Sequence, residues 1–208
     1  MSIKRLPIWV VKLGGSLYKG RTLRGWLEAL AAGGRGKVVV VPGGGPFADQ
    51  VRVAQERWRF DDVTGHRMAI LGMAQYGLML TGLQSNLIPA KNEADIQTAL
   101  GLGYAPVWIP TELESLDVPR NWSVTSDSLA AWLALRLQAN HLVLIKSVKL
   151  TMARVSAGEL ARRGIIDETF PELLNRAGCS CQMLAAQDYA SIATALDGVC
   201  DCGTTLTP

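Results

Sequence analysis

Two glycine-rich turns carry the pattern in this chain most suggestive of chemistry. The first reads Val11-Lys12-Leu13-Gly14-Gly15-Ser16, and the second Val41-Pro42-Gly43-Gly44-Gly45-Pro46. Glycine lets backbone N–H groups turn toward a ligand and lets the ligand come close. A helix starting after each turn adds the positive end of its dipole, and Pro46 suits a first helical position. Two such turns at the carboxyl ends of parallel strands can hold two phosphoryl groups across one crevice. Lys12 adds a full positive charge, which phosphoryl transfer needs as charge spreads over the transferred group. Taken singly, a glycine cluster is more often just a tight turn. The pair, with lysine ahead of the first one, is the stronger signal. Neither spacing is the Walker pattern or the dinucleotide fingerprint.

These turns need strands behind them. Ile8 to Leu13 is an apolar run. Val38 to Val41 is four consecutive valines bounded by glycine and proline, as in a strand buried on both faces. Further strands are expected at Ala105 to Ile109, Leu142 to Ile145 and Cys181 to Leu184, with Thr204 to Leu206 closing the set. Helical spacing covers Leu23 to Ala32, which stops at Gly33-Gly34. It also covers Ser126 to Gln138 with a serine cap, Phe170 to Arg176, and Ala186 to Leu196. Gly65 to Leu83 is a long helical candidate, although its glycines argue against it. Thr111 to Arg120 is polar and proline-bounded and is expected to be a loop. Strands alternating with helices predict an α/β fold around a mainly parallel sheet, in a single domain over residues 1–208.

Composition narrows the partners. Hydrophobic residues make up 49% and charged residues 19%, as in an ordinary globular chain. A net charge of +3 is too small to point to nucleic acid and suits a small anionic substrate. The chain has no apolar run of membrane-spanning length and no signal-peptide pattern at the N-terminus, so no membrane partner and a cytoplasmic location are expected. Cys179, Cys181, Cys200 and Cys202 form two C-x-C pairs, narrower than the usual zinc spacing. They are expected to be reduced packing residues, with no metal site.

With both glycine turns in place, the chain resembles the amino-acid-kinase family, which includes acetylglutamate, aspartate, uridylate and isopentenyl phosphate kinases. A third match is Thr125-Ser126-Asp127-Ser128, which opens a helix, and Gly203-Thr204 resembles the family's closing strand. Three fragments resemble the subgroup of methanofuran biosynthesis that makes a diphosphate from [5-(aminomethyl)furan-3-yl]methyl phosphate. They are Gly65-His66-Arg67-Met68-Ala69-Ile70, Trp122 to Leu129, and Ile166-Asp167-Glu168-Thr169-Phe170-Pro171. The resemblance implies a carbamate-kinase-like three-layer αβα sandwich, ATP and Mg²⁺ as cofactors, and a homo-oligomer. It also implies roles. Lys12 and Asp127 would be catalytic, with Asp127 orienting the lysine and helping to organise phosphates and magnesium. Lys12, Gly14, Gly15 and Ser16 would bind the nucleotide phosphates, and Gly43, Gly44, Gly45, Thr125 and Ser126 the acceptor.

The nucleotide-lining turn departs from the family's threonine–aspartate–valine–aspartate–glycine. It reads Lys146-Ser147-Val148-Lys149-Leu150. Lys146, Ser147, Val148 and Lys149 are expected to line the nucleotide, and either lysine can be a phosphate contact or a solvated loop charge. The altered turn also leaves open a non-catalytic nucleotide- or oxyanion-binding module, and a carboxylate acceptor remains an alternative. Asp167 and Glu168 can contact ribose or magnesium, but acidic residues ahead of a helix more often serve its dipole. His66 is expected to be a satisfied histidine, Met68, Met73 and Met79 core or interface, and Trp58, Trp122 and Trp132 structural. Neither Lys12 nor Asp127 is assigned to the core.

Overall fold

The structure is a computed structural model that describes residues 6–111, 117–197 and 202–208. Its first half runs β1 (Trp9–Leu13), α1 (Leu23–Gly33), β2 (Val38–Pro42), α2 (Gly45–Trp58), α3 (Asp62–Leu83), β3 (Leu87–Ala90), α4 (Glu93–Gly101) and β4 (Ala105–Trp108). The second half runs α5 (Ser126–Leu137), β5 (His141–Lys146), β6 (Arg154–Ser156), α6 (Ala157–Arg162), α7 (Phe170–Ala177), β7 (Ser180–Ala185), α8 (Tyr189–Leu196) and β8 (Thr204–Thr207). Among the described residues the strands form one eight-stranded sheet in the order β3-β4-β2-β1-β5-β7-β8-β6. Every pairing is parallel except β7 with β8. Helices cover both faces, which makes the three-layer αβα sandwich of the carbamate-kinase type.

Strand alternation sorts the core. Trp9, Val11 and Leu13 of β1, Val38 and Val40 of β2, and Val143 and Ile145 of β5 face one layer, where Trp26, Leu27 and Leu30 of α1 and Ile192 of α8 meet them. Val10, Val39, Val41, Leu142 and Leu144 face the other, packed against α5 and α7. All five residues of β1 and all five of β2 are buried, as expected for central parallel strands. Lys12 shares the α5 face with Val10, two residues before it. Lys12 pairs with Leu144 of β5, so Lys146, two residues beyond Leu144, emerges on that face as well.

Several elements differ from the sequence expectation. The long helix α3 starts at Asp62, where Asp61 caps it by accepting from Thr64 N–H at 2.8 Å. Its glycines serve close packing rather than breaking it: a side chain on Gly72 would meet the Ala48 backbone nitrogen of α2 at 2.9 Å. The cap of α5 is Thr125, not a serine, and α8 begins at Tyr189 rather than Ala186. Helices α4 and α6 and strands β3 and β6 were not anticipated. Of the Thr111 to Arg120 segment, residues 112–116 lie outside the described residues, and residues 117–120 form no regular element.

Candidate active site

Helix α5 points its N-terminus at the carboxyl ends of β1 and β5, and its second residue, Asp127, meets both lysines there. Asp127 Oδ1 lies 2.9 Å from Lys12 Nζ, and Asp127 Oδ2 accepts a hydrogen bond from Lys146. The Asp127 side chain is 3% exposed, Lys12 5% and Lys146 17%. Lys12 and Asp127 are therefore core residues, contrary to the sequence expectation. Strand alternation buries Lys12, and the helix N-terminus supplies its counter-charge. Two ammonium groups share the Asp127 carboxylate, and Asp167 attracts Lys146 from farther off. Burial by itself would raise the Asp127 pKa, but the two lysines outweigh it and hold the carboxyl below its ordinary value. Lys146 is pushed below the usual lysine value by burial and then by Lys12, with Asp127 offsetting part of the shift.

The start of α5 is itself fixed from a distance. Asp167 Oδ2 accepts from Thr125 N–H at 2.9 Å, Thr125 Oγ1 at 2.7 Å and Ser128 N–H at 3.0 Å. Asp167 Oδ1 accepts from Ser128 Oγ and from Phe170 N–H, the latter at 2.9 Å. One carboxylate thus ties the N-termini of α5 and α7 together, so Asp167 takes the bland alternative of a helix-terminus partner. Its position three residues before Phe170 at the start of α7 was the signal in the sequence.

The glycine turns are not opposed across an open crevice. They touch. A side chain on Gly15 would lie 2.4 Å from the Gly45 nitrogen, and one on Gly43 would lie 2.3 Å from the Gly15 nitrogen. Glycine is required there so that the two backbones can meet, and Gly45 also sits at φ +54°, in the left-handed region. Two expected ligand amides are already used: Gly14 N–H donates to Ile145 O at 3.1 Å and Gly43 N–H to Leu13 O at 2.8 Å. Gly14 and Gly43 therefore hold the turns against the sheet. Gly15, Ser16, Gly44 and Gly45 instead line a cavity at the starts of a short 3-10 turn and of α2, where helix geometry leaves N–H groups without intrahelical acceptors.

That cavity has a volume of 360 Å³ and is walled by α2, α3 and the segment entering α5. A second cleft of 510 Å³ is lined by Asp127, Lys146, Asp167 and Glu168, among others. Thr125 and Trp122 line both, so the two spaces adjoin there, with Asp127 and Lys146 on the side of the second. Ser126 lines the first space. Ser147, Val148 and Lys149 are exposed, and Lys149 lies in a third cleft with Thr151, Asp188, Gly203 and Thr204. Sequence reasoning missed two groups in the first cavity. His66 is 3% exposed rather than satisfied, with no hydrogen-bond partner on either ring nitrogen. Trp122 stacks under the Arg52 guanidinium at 3.9 Å.

Asp127 is engaged by two ammonium groups and Asp167 by five donors, so neither offers a free carboxylate. Among the described residues, no three His, Cys, Asp or Glu side chains group as a metal cage. Cys181 and Cys202 are buried and Cys179 is half-buried, all three outside any disulfide; Cys200 lies outside the described residues. Magnesium, which keeps waters and substrate phosphates as ligands, fits here only as the companion of a nucleotide.

Residues 7–151 match the amino acid kinase family, a class of phosphotransferases. The chain belongs to that family and is a small-molecule, ATP-dependent kinase. It is 26% identical over 182 residues to the [5-(aminomethyl)furan-3-yl]methyl phosphate kinase of Methanocaldococcus jannaschii, covering 80% of this chain and 82% of that protein. Uridylate kinase from Archaeoglobus fulgidus superposes with a TM-score of 0.76 at 16% identity, covering 96% of this chain and 100% of its own. An isopentenyl phosphate kinase superposes at 0.66 with 16% identity and the same coverages. No helix among the described residues is long and apolar enough to cross a membrane.

Proposed function

We propose that this kinase moves the terminal phosphoryl group of ATP onto a small phosphomonoester, giving a diphosphate. The observation that carries this is the buried Lys12–Asp127–Lys146 cluster, of which Asp127 and Lys146 line a cleft that shares Thr125 and Trp122 with the glycine-turn cavity. The cleft with Lys146 takes the donor phosphates, and the turn from Ser147 to Lys149 leads toward the nucleoside. The cavity with Gly15, Ser16, Gly44, Gly45, Thr125 and Ser126 takes the acceptor. An acceptor phosphate oxygen attacks the γ-phosphorus, a new P–O bond forms, the bond to the bridging oxygen breaks, and ADP leaves. That oxygen is already ionised at neutral pH, so no general base is required. Lys12 and the turn amides stabilise the charge that spreads over the transferred group, and Asp127 keeps both lysines aimed at it. Bound with ATP, Mg²⁺ would neutralise the phosphate oxygens.

[5-(aminomethyl)furan-3-yl]methyl phosphate is the first acceptor to try, because the relative that acts on it matches most of the chain. The test is ATP turnover on a panel of phosphomonoesters and carboxylates, with products read by ³¹P NMR. Signals of a new P–O–P linkage are expected. Turnover confined to carboxylates would overturn the phosphomonoester assignment.

A further inference from the structure

One wall of the acceptor cavity is only two side chains thick, and a further space lies behind it. Arg52 of α2 and Trp122, three residues before the cap of α5, line the 360 Å³ cavity. The same two residues also line a neighbouring cleft of 410 Å³, together with Gln55, Arg59 and Phe60. Among the described residues, Arg52 and Trp122 alone are common to both spaces.

The two side chains are held as a unit. The Arg52 guanidinium lies 3.9 Å from the centre of the Trp122 ring, within cation–π range. Trp122 donates from Nε1 to Gln55 Oε1 at 2.7 Å. Gln55 in turn donates to Phe60 O at 3.2 Å and to Asp62 Oδ1 at 2.9 Å, so the tie reaches the start of α3. Trp122 is thus fixed by its face to Arg52 and by its edge to Gln55.

Their place along α2 decides what they meet. The helix starts at Gly45, which lines the glycine-turn end of the cavity, and Arg52 is seven residues on, roughly 10 Å along the helix. An acceptor whose phosphate sits at the glycine turns therefore points its body at the stacked pair. The walls beside that path are apolar and belong to the core, with Ile70, Val124 and Leu129 each buried. Close-packed core residues cannot move aside for a longer body. Only at Arg52 and Trp122 does space lie beyond.

We propose that Arg52 and Trp122 are specificity-determining residues that set the length of the acceptor. The stacked pair closes the cavity behind a body no longer than a single ring and rejects a longer one by clash. Removing either side chain joins the two spaces and lengthens the site. This rests on the acceptor assignment above and adds the size limit that assignment leaves open.

Two phosphonates test it without ATP. Benzylphosphonate has one ring, and biphenyl-4-ylmethylphosphonate has a second ring in line with the first. Both carry the same charge, so the ratio of their affinities reports length rather than electrostatics. By calorimetry, the wild type should bind the one-ring probe at least about tenfold more tightly, as a filled pocket rejects added bulk. Arg52→Ala and Trp122→Ala should each bring the ratio near one or reverse it. Trp122→Phe, which keeps a ring in place, should retain most of the wild-type preference. Arg52 does not line the cleft of Asp127 and Lys146, so its removal opens the acceptor side alone. A gain in binding of the longer probe cannot come from a damaged fold. A wild type that binds both probes alike, or folded Ala variants that gain nothing for the longer one, overturns the proposal and leaves the acceptor assignment standing. If the length switch appears but no phosphomonoester is turned over, the acceptor assignment fails and the partition stands. Benzylphosphonate that does not bind the wild type overturns both.

Discussion

Replacing Asp127 by asparagine removes the one negative charge between two ammonium groups. With side-chain exposures of 3%, 5% and 17% for Asp127, Lys12 and Lys146, water cannot take its place. Breaking a buried ion pair by removing one partner costs roughly 3–5 kcal/mol. Asparagine keeps one oxygen for a lysine, so the lower end, about 3 kcal/mol, is expected here. A chain of this length loses about 2–4 °C of Tm per kcal/mol, so Tm should fall by about 6–12 °C at pH 7. The pH dependence has a definite sign. The folded carboxyl lies below its ordinary value of 3.8, so its stabilisation is present above that value and is lost as pH falls through the lower folded one. Wild type and variant should differ at pH 7 and converge in strong acid. Calorimetry across that range, with circular dichroism to confirm the fold, measures the difference. Turnover should also fall about a hundredfold, the scale of losing one preorganised electrostatic contact. A Tm within about 2 °C of wild type at pH 7 would show that the cluster is hydrated and that burial does not govern it.

Lys12→Ala should lower kcat by about a hundredfold while ATP affinity, measured by calorimetry, falls less, because Lys146 still meets the donor phosphates. The lowered Lys146 pKa means that its charge is lost at a pH below the ordinary lysine value of 10.5. The basic limb of the pH–kcat/KM profile should therefore lie below that value, and Lys146→Arg should move it upward; a limb that does not respond to Lys146→Arg assigns it to another group. Asp167→Ala frees five donors at two helix starts and should cost about 2 kcal/mol or more in urea unfolding, so an unchanged midpoint would contradict the role given to it. We propose that the exposed residues of α3, Leu71 at 49% and Leu78 at 53%, form a self-association surface. Light scattering should then give a mass above 22.4 kDa that falls to it in a Leu71→Glu, Leu78→Glu variant, whereas a wild-type mass of 22.4 kDa removes the interface.

The elements that the sequence hid share a physical cause. Strands β3 and β6 are the two edges of the sheet. Edge strands are short and less apolar than central ones, and Pro89 is tolerated in β3 only at an edge. The start of helix α2 at Pro46 was expected but its length was not, because it buries only Gly45 and Val51 of its 14 residues and shows little apolar periodicity. Helix α3, by contrast, was visible despite its glycines, since a long run of helical spacing outweighs them. Lys12, Asp127 and the glycine turns were legible because each sits where a periodic segment ends.

By itself, the sequence determined the central strands, their parallel α/β arrangement and the two turns, because unbroken valine runs and glycine stops act over a few residues. Only the tertiary structure decided whether Lys146 was a loop charge or a partner of Asp127, because that depends on the register of β1 against β5, more than a hundred residues apart. The same holds for Gly15 and Gly43, which are small so that two backbones can touch, and for Asp167, which holds a helix that starts 41 residues earlier. It holds for His66 too, whose lack of partners is a property of everything packed around it. Local pattern fixes which face a residue takes. What it meets there is set by long-range packing, which no spacing in one segment records.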